Sequence, residues 1–342
     1  MIKVLHIVGA RPQFIKLFPL HLEMKERGFN QKILHTGQHF DKAMSDIFFE
    51  EMGIPKPDYN LNIHSLSHGA MTGRMIEHIE KIILLNEDFD YVIVYGDTNS
   101  TLAGSIAASK LNIKIIHIEA GVRNYDNTMP EEINRIITDK LSHMLFCPTD
   151  ECIFNLDREG MFYGKNVGDL MYDAVTLFKD KIKNNQSDPY VLVTCHRQEN
   201  TNKKSLTEII KALNIISEDI DIIFPVHPRT KKVIDKLNIT LKFKTCPPVS
   251  YIQMLQLINN SECIITDSGG VVREGYFLNK PSLVLLENLV WPEIPCLKCK
   301  PNKDTILNTF KKLKNSTFNF SENIFGNGNA RKQIVDIIQN EK

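Results

Sequence analysis

Lys3-Val4-Leu5-His6-Ile7-Val8-Gly9-Ala10-Arg11-Pro12 decides the fold of the first half of this chain, and Ile264-Ile265-Thr266-Asp267-Ser268-Gly269-Gly270 restates it in the second. Each is a short apolar run that breaks at small residues where a helix is due to begin. That is a strand-to-helix turn of the phosphate-binding type: small residues allow close backbone approach, and the following helix start offers free N–H groups to an anion. Arg11 adds a planar, forked cation suited to phosphate, and Glu274 stands four residues beyond Gly270.

Outward from these turns, β-branched runs alternate with stretches of helical spacing. Strands are predicted at Lys3–Val8, Gln31–Thr36, Tyr91–Tyr95, Ile113–Glu119 and Met144–Pro148. Helices are predicted at about Pro12–Arg27, Ala43–Glu51, Met71–Asn86, Ser100–Leu111 and Glu131–Leu141. The pattern restarts with strands at Tyr190–Cys195, Ile220–Val226, Cys263–Thr266 and Pro281–Leu286, and helices at Lys204–Ser217, Tyr251–Asn259 and Val271–Leu278. Such alternation implies parallel strands with crossover helices. The expected architecture is α/β: two doubly wound Rossmann-like domains facing a cleft. The polar stretch Lys179–Pro189 is the natural linker. Ligands in such sheets sit beyond the carboxyl ends of the strands, so the turns of both halves are expected to converge.

Composition narrows the function classes. At 342 residues the chain is long enough for two domains, and 41 Lys+Arg balance 41 Asp+Glu, so no basic field argues for nucleic acid or an anionic membrane. No apolar run reaches the roughly 20 residues of a membrane span, and the N-terminus enters a strand at once, without the features of a signal peptide, so a cytoplasmic location is expected. Of the seven cysteines, Cys147, Cys195 and Cys263 read as buried strand residues. Cys296 and Cys299 form the one close pair, which reads better as two reduced thiols than as a zinc site. No metal or cofactor is called for.

Polar clusters end almost every predicted strand: Gly96-Asp97-Thr98, Glu119-Ala120-Gly121-Val122-Arg123, His196-Arg197-Gln198-Glu199-Asn200 and His227-Pro228, with Pro130-Glu131-Glu132-Ile133-Asn134-Arg135 at a helix start. Individually, several have structural explanations. Asp97 suits a helix cap, Glu131 and Glu132 complement a helix dipole, and His6 and His117 suit satisfied core positions. Glu119 differs, because a carboxylate ending an apolar run needs a partner or a task. His196 and Arg197 also lean functional. Three carboxylates with histidines and arginines suit proton abstraction and return on a phosphate-bearing substrate, pointing to an enzyme acting on a nucleotide-activated molecule. No P-loop lysine motif, metal-ligand spacing or Gly-x-Ser-x-Gly elbow occurs.

Eight ordered blocks carry a family resemblance: Gly9-Ala10-Arg11-Pro12-Gln13-Phe14-Ile15-Lys16, Thr36-Gly37-Gln38-His39, Tyr95-Gly96-Asp97-Thr98, His117-Ile118-Glu119-Ala120-Gly121, Pro130–Arg135, His196–Asn200, Pro225-Val226-His227-Pro228 and Asp267-Ser268-Gly269-Gly270. Over roughly residues 2–295 the chain resembles the non-hydrolysing UDP-N-acetylglucosamine 2-epimerases. The resemblance implies a glycosyltransferase-B-type fold, a homodimer, and a C-terminal helix over 326–342 packing back on the first domain; with the linker, this gives an N-terminal domain over 1–178 and a nucleotide-binding domain over 190–325. It implies elimination of UDP to a 2-acetamidoglucal and re-addition with inversion at C2, in the service of surface polysaccharide synthesis. Carried over by position, Asp97, Glu119 and Glu131 are acid and base candidates and His196 assists the departing diphosphate. Arg11, Lys16, Arg135, His227, Ser268, Gly269, Gly270 and Glu274 contact substrate, and Gln38 and His39 (with His227) contact an activating second UDP-sugar. Where the family commonly has an Arg and then Thr-Glu-Arg-Pro-Glu, this chain has Leu286-Glu287-Asn288-Leu289-Val290-Trp291-Pro292-Glu293. Trp291 in place of the arginine, together with Ala10-Arg11-Pro12-Gln13-Phe14, is more like the branch acting on UDP-2,3-diacetamido-2,3-dideoxyglucuronic acid and related sugars. A glycosyltransferase and a non-catalytic UDP-sugar sensor are the remaining alternatives.

Overall fold

The computed structural model describes residues 1–38, 51–85, 88–183, 188–286 and 289–341. The chain divides into two compact units, one formed by Met1–Leu177 with Asn323–Lys342 and the other by Phe178–Glu322. The predicted helix over Ala43–Glu51 lies almost wholly outside the described residues.

The first unit holds a seven-stranded, all-parallel sheet. In chain order its strands are β1 (Lys3–Val8), β2 (Asn30–His35), β3 (Tyr59–Asn60), β4 (Tyr91–Tyr95), β5 (Lys114–Ile118), β6 (Met144–Cys147) and β7 (Gly164–Asn166), arranged β3-β2-β1-β4-β5-β6-β7. Crossovers run through helices α1 (Arg11–Glu26), α2 (His68–Leu85), α3 (Asn99–Lys110), α4 (Pro130–Leu141) and α5 (Asp150–Arg158), and α6 (Leu170–Leu177) follows β7. Strand order reverses between β1 and β4, and this is where a doubly wound sheet opens a crevice at its carboxyl edge. Val4, Leu5, Ile7 and Val8 of β1 and all of Tyr91–Tyr95 are buried, as a sheet covered on both faces requires.

The second unit repeats the plan in a six-stranded parallel sheet, with strands β8 (Tyr190–Thr194), β9 (Asp221–Pro225), β10 (Lys244–Cys246), β11 (Cys263–Thr266), β12 (Ser282–Val284) and β13 (Leu297–Lys298). Their order is β10-β9-β8-β11-β12-β13. Its helices are α7 (Lys203–Ile216), α8 (Pro228–Leu237), α9 (Tyr251–Asn260), α10 (Gly269–Phe277) and α11 (Lys303–Lys314). The reversal here lies between β8 and β11. One layer of the core packs Leu206, Ile210 and Leu213 of α7 with Val191, Val193 and Ile265 of the sheet.

The closing helix α12 (Ala330–Asn340) belongs to the first unit. The Asp173 carboxylate accepts from the backbone amides of Ala330 (3.0 Å) and Arg331 (2.9 Å) and pairs with the Arg331 guanidinium at 3.1 Å. Arg27 of α1 reaches Asp336 at 3.0 Å. Gly168 is required at this return: its φ is +84°, and a Cβ there would stand 2.7 Å from the Phe325 carbonyl oxygen. Among the described residues no helix is long and apolar enough to cross a membrane.

Candidate functional site

In the first unit the turn after β1 is shaped by Gln13. Its Oε1 accepts from the amides of Gly9 (2.7 Å) and Ala10 (3.0 Å), and its Nε2 donates to the Tyr95 carbonyl (2.7 Å) and the Thr98 and Thr101 hydroxyls (3.0 Å each). The expectation that this turn's small residues leave backbone open to an anion is therefore corrected, since both amides already have a partner. Gly9 itself answers to packing, because a Cβ would lie 2.1 Å from Thr36 Oγ1 and 2.2 Å from Ser100 Oγ. Those two hydroxyls bond each other at 2.8 Å, and Gln38 Oε1 accepts from Ser100 Oγ at 2.7 Å. Gln38 is thus part of the hydrogen-bonding behind the turn, and His39 lies outside the described residues. Arg11, half-buried at the first position of α1, is the charged group the turn presents.

The carboxylates come from the ends of β4 and β5 and from α4. Asp97 does not cap α3. Thr98 does, accepting from the Thr101 amide, and Asp97 pairs instead with Arg135 at 2.7 and 3.1 Å. Arg135, expected to contact substrate, has its guanidinium engaged by two carboxylates, Asp97 and the buried Glu132 (2.7 Å). Burial pulls that guanidinium down, but Asp97 and then Glu132 outweigh it and hold it above its ordinary value. Glu132 also accepts from the amides of Asn124 (3.2 Å) and Tyr125 (2.9 Å), closing the loop ahead of α4. Glu131 is half-buried and its carboxylate has no hydrogen-bond or ion-pair partner among the described residues.

Glu119 has φ +73°, a left-handed conformation that costs a residue with a Cβ on the order of 1–2 kcal/mol. Its amide and that of Ala120 both donate to the Phe146 carbonyl at 3.1 Å, which holds the reversal in place. The side chain, 11% exposed, forms an ion pair with Lys16, which is 3% exposed. Lys16 Nζ also lies over the Gly96 turn, 3.6 Å from where a Cβ on Gly96 would stand. Lys16 therefore links the turns that carry Glu119 and Asp97. His6 and His117 are satisfied core residues, as the sequence implied. His6 lies between Tyr95 Oη (2.7 Å) and Gln31 Oε1 (3.0 Å), and His117 between Asp139 (2.6 Å) and the Gly96 carbonyl (2.8 Å).

In the second unit the amides of Gly269 and Gly270 at the start of α10 have no intramolecular partner among the described residues, and Gly269 faces open space. Ser268 caps this helix, accepting from the Val271 amide. Asp267, fully buried, accepts from the amides of His196 (3.0 Å) and Arg197 (2.9 Å) and from Asn200 Nδ2 (3.1 Å), and lies 3.3 Å from His196 Nδ1. It is the fastener that sequence reasoning missed; its place one residue before the capping Ser268 was the available signal. His196 is 42% exposed and its ring lies 5.9 Å from that of the exposed His227, which caps α8 by accepting from the Arg229 amide at 3.2 Å. Glu274 is buried in the second turn of α10. Arg273 beside it is buried under Trp291, with 4.5 Å from guanidinium to ring centroid, so the divergent segment is tied to the phosphate-type helix. Residues 287 and 288 of that segment lie outside the described residues. Cys296 and Cys299 are free thiols, and burial pushes Cys299 up to about 11, which makes it a poor nucleophile.

Two Rossmann-type units, one ending its strands in ion-paired carboxylates and the other presenting open amides at a helix start, define a nucleotide-handling α/β enzyme. The chain belongs to the UDP-N-acetylglucosamine 2-epimerase family, whose profile matches residues 22–339. It is 46% identical to a UDP-N-acetylglucosamine 2-epimerase homolog of Methanococcus maripaludis, covering 99% of both chains. It is 43% identical to the UDP-2,3-diacetamido-2,3-dideoxy-D-glucuronate 2-epimerase of Pseudomonas aeruginosa, covering 98% of this chain and 99% of that one. Among solved structures, the Methanocaldococcus jannaschii UDP-GlcNAc 2-epimerase in complex with UDP-GlcNAc and UDP matches with a TM-score of 0.91 at 40% identity, over 99% of this chain and all of that one.

Proposed function

We propose that the protein is a non-hydrolysing UDP-N-acetylglucosamine 2-epimerase, interconverting UDP-GlcNAc and UDP-ManNAc. A carboxylate removes the C2 proton, the C1–O bond breaks with its electron pair leaving on UDP, and a 2-acetamidoglucal remains bound. Protonation of C2 from the opposite face and attack of the UDP phosphate oxygen on C1 complete the inversion. Asp97, Glu119 and Glu131 are the acid and base candidates, as two opposed proton transfers require more than one carboxylate. The observation that carries this reading is Glu119. It is a carboxylate held at φ +73° beside a buried lysine at a sheet's carboxyl edge, and such a costly arrangement suits a positioned proton carrier. The amides of Gly269 and Gly270 with the Ser268 hydroxyl suit the diphosphate. His196, Arg11 and Lys16 stabilise it as it departs, His227 aids substrate binding and Glu274 holds the ribose. Arg135 acts through Asp97, orienting it. Gln38 and His39 are the candidate contacts for an activating second UDP-sugar. The protein works as a homodimer in surface polysaccharide synthesis in the cytoplasm.

A second substrate reading, UDP-2,3-diacetamido-2,3-dideoxyglucuronate, is favoured by Trp291, buried against Arg273 in the segment that departs from the family pattern. Proton NMR of the protein in D₂O, with UDP-GlcNAc and separately with UDP-2,3-diacetamido-2,3-dideoxyglucuronate, tests both. A manno-configured UDP-sugar carrying deuterium at C2 is the expected product. Free N-acetylmannosamine plus UDP refutes the non-hydrolysing assignment. Turnover of the diacetamido glucuronate alone transfers the assignment to that branch, and inactivity on both refutes epimerase function.

A further inference from the structure

Behind the carboxylates of the first unit lies a buried ionic cluster that touches the turns bearing two of them. Asp139 of α4 is fully buried. Its Oδ1 meets His117 Nδ1 at 2.6 Å, and its Oδ2 meets Arg123 at 2.7 Å and the Gly121 amide at 3.2 Å. Burial alone would raise the Asp139 carboxyl, but His117 and then Arg123 hold it below its usual value, so it is a carboxylate and an acceptor. The opposite ring nitrogen of His117, Nε2, meets the Gly96 carbonyl at 2.8 Å, and a carbonyl only accepts. His117 therefore bridges the Asp139 carboxylate and the Gly96 carbonyl. Arg123 continues outward to the Glu159 carboxylate in a bidentate pair at 2.7 and 2.9 Å.

The cluster thus grips Gly96, the residue before Asp97, and Gly121, two residues after Glu119. Gly96 and Gly121 both have positive φ (+62° and +76°), and a Cβ on Gly121 would stand 2.3 Å from the Cys152 carbonyl oxygen. Asn155 Nδ2 donates to the Gly121 carbonyl at 3.0 Å, so the segment that makes Glu119 left-handed is pinned on both sides. A core that needed only packing would be better served by apolar residues than by four ionisable groups, since a buried ion network pays a desolvation cost.

We propose that His117, Asp139 and Arg123 are positioning residues that set Asp97 and Glu119 for proton transfer. His117 acts through the Gly96 carbonyl and Asp139 through the Gly121 amide. This rests on the epimerase reading for its kinetic readout. A misplacement of about 1 Å in a catalytic group costs on the order of 100-fold in rate. His117→Gln and Asp139→Asn should therefore lower kcat by about that factor, while the calorimetric Kd for UDP stays within a few-fold, because none of the candidate diphosphate contacts (Ser268, Gly269 and Gly270 of the other unit, and Arg11 and Lys16 of this one) belongs to the cluster. Glu159→Gln, at the half-buried outer end of the cluster, is the milder variant that keeps the test available if the first two fail to fold; it should show the same kcat-only loss on a smaller scale. His6→Gln, at an equally buried histidine outside the cluster, controls for general destabilisation and should keep its kcat. Folded cluster variants with wild-type kcat, or with kcat and UDP affinity lost together, overturn the proposal. If the wild-type protein epimerises no UDP-sugar, the functional reading falls, and the inference is decided by the crystal structure of Asp139→Asn. Glu119 leaving positive φ supports it, and an unchanged Glu119 overturns it.

Discussion

Glu119 carries a strain that can be measured apart from its chemistry. Replacing it by Ala or by Gly removes the same carboxylate and the same partner of Lys16, so those losses cancel between the two variants. Lys16→Met in both backgrounds avoids leaving a buried, unpaired ammonium, which would cost about 3–5 kcal/mol. What then differs is the backbone at φ +73°. Ala is penalised there by roughly 1–2 kcal/mol, whereas Gly is not. Against this, Gly has more freedom in the unfolded chain, worth about 0.4–1 kcal/mol in favour of Ala. The first effect is the larger, so the Gly variant should be more stable by about 1 kcal/mol. That reverses the order found where Ala fits without strain. In a unit of this size the difference is about 2–4 °C in Tm, readable by scanning calorimetry. Both variants should lose at least about 100-fold in kcat. An Ala variant as stable as the Gly variant would refute the claim that tertiary contacts hold Glu119 in a costly conformation.

Arg135→Met should destabilise the protein by about 3–5 kcal/mol in urea titration, because it leaves the buried Glu132 unpaired, and should abolish activity through the released Asp97. The third prediction concerns pH. His6 is wholly buried, and desolvation, aided by His21, lowers its pKa to about 3. The group is neutral in the native state and protonates first in the unfolded one, so its contribution is present above about pH 6.5 and is lost as pH falls toward 3. Between pH 7 and pH 5 the loss is about 2 kcal/mol. The urea midpoint should drop over that range, and less so in His6→Gln.

Much of the fold was legible because it depends on local regularities. The runs Lys3–Val8, Tyr91–Tyr95, Tyr190–Thr194 and Cys263–Thr266 are long, β-branched and bounded by small residues, and all four are central strands. The strands with no such signal, Tyr59–Asn60, Gly164–Asn166, Lys244–Cys246 and Leu297–Lys298, are two or three residues long and stand at the sheet edges. Only the neighbouring strand makes such short segments extended, so they leave no periodic signal. Helices α5, α6, α8 and α11 likewise follow no decisive pattern along the chain, although Thr149, His227 and Asn302 cap three of them with side-chain acceptors.

The sequence by itself determined two parallel α/β units, the strand ends at which polar residues collect, and Glu119 as the carboxylate most in need of explanation. These follow from hydrophobic period and from the cost of burying charge, and both can be read along a line. Only the tertiary structure decided which partner each polar group takes. Asp97 could cap a helix or face an arginine, and Thr98 takes the cap while Arg135, 38 residues away, takes Asp97. Gly9 reads as room for a ligand until Thr36 and Ser100 arrive from other elements to fill that room. The His117–Asp139–Arg123 cluster draws on β5, the turn after it and α4. Hydrogen bonds and ion pairs act over about 3 Å. Their partners are therefore chosen by which elements the packed sheet brings together, and spacing along the chain carries no record of that choice.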